Sequence, residues 1–367
     1  MVSRRISRNV DSTRSRQSVS RSTASSPPSE APCRYHRPKF GVYGQQPGML
    51  ILSTRSIPHT PEPGRLLVSA RSYDGVMAVS LIPLNDGTSI PQLGLGVFRI
   101  APNDTERVVS EAIEIGYRLF DTAASYENEV GVGRAIARSG VPREELYIIT
   151  KLWNIDHTAN IAPVAFDRSL EKLGLEYLDL YLMHWPIASA GLFVDVWRQF
   201  ESFQLEGRTR SIGVSNFRVE DLERLVNETD VVPAINQIEL HPLFTQKALR
   251  EYGNARGIVT QAWGPFGHTK IDLFSEGPVR SIAATYGVTP AQVLLRWYLQ
   301  HGWPVVGKTE NSEHLKENWD IFGFELADGD MASLDAMNRD QRVGPDPDLV
   351  DSLRVRRRGV AARALAA

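Results

Sequence analysis

From Gly94 to Lys308 the chain alternates short apolar runs with helical stretches about eight times, and no other feature restricts its fold as much. The runs are GLGVF (94–98), RLFDTA (118–123), LYIITKL (146–152), LDLYLMH (178–184), SIGVS (211–215), INQIEL (235–240), IVTQAW (258–263) and PVVGK (304–308). Between them lie stretches such as DTERVVSEAIEIG, APVAFDRSLEKLG and TPAQVLLRWYLQHG. These carry apolar residues at i, i+3 and i+4, and most end in glycine. Strands that are apolar on both faces, each followed by a helix, require a parallel sheet covered on both sides. Eight such units predict an α/β fold of the (β/α)8 TIM-barrel type. A doubly wound open sheet is the alternative, disfavoured because polar residues end nearly every strand and do not gather at one switch point. Ahead of the first unit, VSLIPLNDGTSIPQLG reads as a β-hairpin turning at Asn85-Asp86-Gly87, placed to plug the bottom of the barrel.

In a barrel the C-terminal strand ends open on one mouth, so residues far apart in sequence meet there. Phe98, Asp121, Tyr126, Lys151, Trp153, His184, Ser215, Asn216, Gln237, Trp263 and Lys308 all lie at or just beyond such ends. The stretch Arg118–Trp185 is the most telling, because three successive apolar runs deliver Asp121 with Tyr126, then Lys151, then His184. A tyrosine hydroxyl titrates near ~10, too high for an efficient proton donor at neutral pH unless its anion is stabilised. A lysine ammonium can do that, and a carboxylate keeps the lysine charged and aimed. A neutral histidine can donate a hydrogen bond to a carbonyl oxygen. The set suits protonating an oxygen as a carbonyl becomes an alcohol. None of these groups supplies a hydride, so a cofactor must.

Charge and composition remove other classes. Residues 1–76 hold twelve Lys and Arg against four Asp and Glu, and the remaining residues twenty-nine against thirty-nine, so the globular part is mildly acidic. It offers no basic face for nucleic acid, and no run reaches the roughly 18 apolar residues of a membrane helix. The only cysteine, Cys33, excludes an intrachain disulfide and a cysteine-based metal site, and the histidines lack metal-ligand spacing, so no metal is expected. A cytoplasmic location fits. Residues 1–76 are rich in Ser, Arg and Pro and are expected to be disordered. An organelle transit peptide, a basic interaction tail and a start codon placed too far upstream compete as explanations. The last is preferred, because MAVSLIPLNDGTSIPQLG from Met77 already opens the barrel unit. That unit is expected over 77–351, with 352–367 as a basic tail.

DTAxxYxNE (121–129), TKLW, LMHWP, GVSNF and NQIELHP occur in order, and together they resemble the aldo-keto reductases, above all the bacterial 2,5-diketogluconate reductases. The resemblance runs from about Val79 to about Asp351. It implies an NADPH-dependent reductase of small aldehydes, ketones or dicarbonyls, acting as a monomer, with Asp121, Tyr126, Lys151 and His184 as its catalytic residues. Ser215, Asn216 and Gln237 then hold the nicotinamide carboxamide, and Trp263 stacks on its ring. The loop with Gly264, Pro265 and Gly267 folds over the pyrophosphate. Lys308 and Thr309 meet the 2′-phosphate, with Glu310, His314, Glu317 and Asn318 completing the adenosine end. The family commonly has arginine where His314 stands, and the nearest relatives have another where Asn311 stands. Their absence, with Glu310 beside the site, predicts weakened discrimination against NADH. Phe98, Trp153, His184 and Trp185 line the implied substrate pocket, which the short segment from Asn338 to Asp351 leaves fairly open. The rival reading is a cofactor-binding barrel that serves a regulatory or structural role without turnover. GVGRAI (131–136) imitates a dinucleotide fingerprint, but Ile136 replaces its last glycine and no strand precedes it. Two asparagine glycosylation sequons, at Asn103 and Asn227, are matches by letter only.

Overall fold

A computed structural model describes residues 79–267 and 270–350. The extension over 1–76, the start at Met77 and the tail from 352 lie outside the described residues. Eight parallel strands close on themselves: β3 (Leu93–Gly96), β4 (Leu119–Asp121), β5 (Tyr147–Leu152), β6 (Leu178–Met183), β7 (Thr209–Ser215), β8 (Ile235–Glu239), β9 (Val259–Trp263) and β10 (Val305–Gly307). The last pairs with the first, Val306 opposite Gly94, so the barrel is complete and the open-sheet alternative falls. Each of the eight expected runs supplies one strand. The hairpin is also present, with β1 (Leu81–Pro83) antiparallel to β2 (Ser89–Pro91).

Helices α1 (Pro102–Ile115), α2 (Glu129–Arg138), α3 (Ala162–Leu173), α4 (Phe193–Leu205), α5 (Val219–Glu228) and α6 (Lys247–Asn254) follow the first six barrel strands in turn. Two helices, α7 (Gly277–Tyr286) and α8 (Pro290–Gln300), follow β9, and α9 (Ser312–Trp319) and α10 (Asp328–Asp335) follow β10. The sequence starts them locally. Pro102 opens α1, and Thr289 with Gln292 forms a reciprocal capping box at the start of α8.

Strand residues alternate between the two sides of the barrel wall. Leu119, Tyr147, Ile149, Leu180, Leu182, Ile235 and Val306 form an inner apolar cluster, joined by Leu84 and Ile90 of the hairpin, which therefore closes the bottom. Phe120, Ile148, Leu152, Tyr181, Met183, Ile212 and Val214 belong to the outer core beneath the helices. The period of two fixes what comes next. Asp121 follows inward Leu119, Lys151 follows inward Ile149, and His184 follows inward Leu182, so all three enter the mouth. No helix among the described residues is long and apolar enough to cross a membrane.

The glycines of GVGRAI serve packing. They lie within α2, and a Cβ on Gly133 would stand 2.2 Å from the Leu173 carbonyl oxygen of α3. Gly133→Ala should therefore force the two helices apart. It should cost ~1–3 kcal/mol in urea unfolding despite alanine's better helix propensity, and leave nucleotide binding alone. A variant as stable as the parent would show that the helices separate freely.

Candidate active site

Lys151 is fully buried, at 0% exposure, and its ammonium finds partners at every turn. Nζ donates to Asp121 Oδ1 and Oδ2 at 2.8 and 2.7 Å, to the Thr122 carbonyl at 2.9 Å, and stands 3.4 Å from Tyr126 Oη. Tyr126 closes a short 3-10 turn, Ala124–Tyr126, in the loop after β4. Its ring lies 5.0 Å from that of Phe98 and 5.7 Å, edge-on, from His184. Ser125 Oγ sits 3.5 Å from His184 Nδ1. The rings of Trp153 and Trp185 flank His184 at 5.2 and 6.4 Å. Four residues from three strand ends, and the three aromatic walls expected around them, thus meet at one place.

Burial governs the charges here. It raises the Tyr126 phenol well above its ordinary value, and the nearby Asp121 carboxylate adds to that. Burial pushes the Lys151 ammonium down while Asp121 opposes it. Burial, followed by the charge of Lys151, depresses His184 well below the ordinary histidine value, so its ring is neutral at neutral pH. Nearby His157 is held down to about 3 by burial alone.

A second network borders the first. Gln237 Nε2 donates to Asp121 Oδ1 at 2.8 Å and to Gln261 Oε1 at 2.9 Å. Ser215 Oγ donates to the Gln237 carbonyl at 2.9 Å, and Asn216 Nδ2 donates to the His184 carbonyl and to Ser215 Oγ, both at 3.0 Å. Trp263 Nε1 completes it, donating to Asn216 Oδ1 at 2.9 Å. Asn216 adopts a left-handed backbone (φ +63°), a conformation asparagine tolerates better than most residues. The hydroxyl, the amides and the indole expected at a nicotinamide are therefore assembled beside Asp121, Tyr126, Lys151 and His184, and hydroxyl and amide groups are the types a carboxamide requires.

The family profile of the aldo/keto reductases matches residues 91–339. The chain belongs to that family. It is thus an oxidoreductase by descent as well as by residue type. An aldo-keto reductase of Mycolicibacterium smegmatis is 50% identical over 266 residues, covering 72% of this chain and 96% of that protein. The methylglyoxal reductase DkgA of Escherichia coli strain K12 is 42% identical, covering 73% and 97%. A solved structure of a Gox0644 mutant in complex with NADPH matches with a TM-score of 0.71 at 42% identity, covering 74% of this chain and 98% of that one.

As an aldo/keto reductase barrel, the chain places its remaining expected cofactor residues along the rim from β9 to α9. Gly264 and Gly267 turn with positive φ after Trp263, and Pro265 between them is buried. Lys308 forms an ion pair with Glu310. Thr309 Oγ1 accepts from the Asn311 amide at 3.2 Å, and Asn311 caps α9 by accepting from the amides of Glu313 and His314. His314 is exposed, Glu317 half-buried and Asn318 buried on that helix.

Sequence reasoning gave no role to three residues, two of them the Asn128 and Glu129 of the motif over 121–129. Gln261 was signalled by a polar side chain inside an apolar strand. Asn128, fully buried, donates to the Val97 and Ile100 carbonyls at 2.8 and 3.2 Å and accepts from Thr122 at 2.8 Å, tying the Tyr126 loop to the Phe98 loop. Glu129 accepts from Thr150 at 2.8 Å beneath them.

His157 and His184 both have folded values below the ordinary one, so the unfolded chain takes up their protons first. Their contribution is complete above ~6.5 and is lost as pH falls towards their folded values. Between about pH 6 and pH 4 His157, held down to about 3, should steepen acid destabilisation by ~1.4 kcal/mol per pH unit. Urea unfolding of His157→Gln should show a slope shallower by one such increment. Equal slopes would mean that His157 accepts a proton in the folded protein.

Proposed function

We propose that this protein is an NAD(P)H-dependent carbonyl reductase of small aldehydes, ketones and dicarbonyls. The observation that carries the reading is Tyr126, held between the Lys151–Asp121 pair and a neutral His184 at the barrel mouth. The nicotinamide cofactor, when bound, supplies the hydride. Ser215, Asn216 and Gln237 orient its carboxamide, and Trp263 stacks on its ring. In the tautomer in which His184 Nδ1 accepts from Ser125, the neutral ring donates its Nε2 proton to the substrate oxygen. Tyr126, kept protonated by burial, gives that oxygen its proton as the carbonyl carbon accepts the hydride. The resulting phenolate faces the Lys151 ammonium, 3.4 Å from the oxygen, which stabilises it. Phe98, Trp153 and Trp185 make aromatic walls suited to small carbonyls. The DkgA relative's name, methylglyoxal reductase, and its likeness to the diketogluconate enzymes favour dicarbonyls.

NADPH consumption with methylglyoxal, 2,5-diketogluconate, an aromatic aldehyde and an aldose tests the reading. Tyr126→Phe should lower kcat/KM on the order of a hundred- to ten-thousandfold while retaining NADPH binding. Cofactor binding without turnover of any carbonyl would favour the regulatory barrel.

At the adenosine end, Lys308 and Thr309 meet the 2′-phosphate, with His314, Glu317 and Asn318 around the base and ribose. Glu310 already engages Lys308, and Asn311 already takes two first-turn amides of α9 that a phosphate could otherwise use. NADPH should therefore exceed NADH in kcat/KM by less than about a thousandfold, ~4 kcal/mol. Glu310→Gln should widen the gap on the order of tenfold by freeing the ammonium. An unchanged ratio would exclude Glu310 from cofactor choice.

A further inference from the structure

Glu239 ends β8 two residues beyond Gln237, buried at 1% exposure. Its carboxylate is directed away from the proton-transfer group and onto the C-terminal segment. Oε1 accepts from the Val343 amide at 2.6 Å and lies 3.2 Å from His241 Nε2, and Oε2 accepts from the Gly344 amide at 2.7 Å. Two consecutive backbone N–H groups on the two oxygens of one buried carboxylate form a geometrically selective clamp. The Val343 carbonyl, between those amides, accepts from Lys270 Nζ at 2.6 Å. Lys270 belongs to the loop that leaves β9 through Gly264 and Gly267. Position 344 requires glycine for steric reasons. A Cβ there would stand 2.4 Å from Trp263 Cη2 and 2.7 Å from Glu239 Oε2, so the segment backbone lies directly against the indole. The indole in turn donates to Asn216, which donates to the His184 carbonyl.

We infer that Glu239 and Lys270 are positioning residues, which join the C-terminal segment, the loop after β9 and Trp263 into one unit at Val343–Gly344. The inference rests on the reductase reading of the mouth. Occupation of the nicotinamide face and of the carbonyl pocket are then coupled, because the same dipeptide backs the stacking indole and anchors the segment bordering the substrate. Further fastenings lie outside the clamp. Arg339 pairs with Glu276, Arg218 pairs with Asp348, and Asn338 accepts from the Thr245 amide. The Gln341 amide also donates to the Leu243 carbonyl at 3.0 Å and Arg342 lies over the Phe244 ring, so the segment is held up to the clamp, whose own amides and carbonyl go to Glu239 and Lys270.

The test uses the full chain with Glu239→Gln, Lys270→Met and the double variant. Glu239→Gln sets an amide N–H against one of the two backbone donors, and Lys270→Met removes the tie to the β9 loop. Hydrogen exchange at the Val343 and Gly344 amides should accelerate on the order of tenfold in either single variant, the size of one lost hydrogen bond. KM for the carbonyl and Kd for NADPH should rise by a similar factor with kcat little changed. The double variant should lose no more than the worse single one, the non-additivity expected of one coupled unit. Multiplicative losses, or a lowered Tm with Kd and KM unchanged, would overturn the inference and leave a merely structural glutamate. If Glu239→Gln fails to fold, the exposed Lys270→Met still decides through its effect on carbonyl KM, since Lys270 contacts none of the four proton-transfer residues. Should the parent bind NADPH but reduce no carbonyl, the reductase reading fails, while the exchange and NADPH-affinity measurements still judge the clamp.

Discussion

A lysine ammonium with no exposed surface, at the end of a strand that is otherwise apolar, is the constraint on which the rest of this mouth depends. Alone, such a charge would be too costly to bury. Asp121 gives it two hydrogen bonds and the Thr122 carbonyl a third, which uses all three ammonium protons and fixes the β4 and β5 ends together. Only the longest contact, at 3.4 Å, goes to Tyr126. Burial leaves the phenol protonated in the folded protein, with the Lys151 ammonium near at hand.

Asp121 also connects the two halves of the chemistry. By accepting from Gln237 as well as Lys151, it lies between the proton-transfer residues and the amides proposed to hold the nicotinamide. Asn216 makes a second connection through the His184 carbonyl. The proposed cofactor face thus has two short hydrogen-bonded routes, to Asp121 and to the His184 backbone. Asn128 sets the third side, holding the Tyr126 and Phe98 loops at a common height.

Much of this was legible in the linear chain. The strand runs were readable because their apolar residues occupy both faces, and the tetrad because Asp121, Lys151 and His184 each extend an inward row by one period. The hairpin was readable from Asn85-Asp86-Gly87. GVGRAI was correctly set aside, though its actual service, the close contact of α2 with α3, depends on where Leu173 lies. Residue types show a lysine beside a phenol, but not the depth of burial that raises the phenol well above its ordinary value.

What the sequence determined by itself was periodicity and the kinds of polar group at strand ends, because both are local and follow from backbone geometry. What only the tertiary structure decided was partnership across long separations. Gln237 meets Asp121 over 116 positions, and Glu239 meets Gly344 over 105. Such pairs arise because barrel closure places eight strand ends on one small ring, where a buried polar atom pairs with a donor the closed ring brings within reach and not with a sequence neighbour.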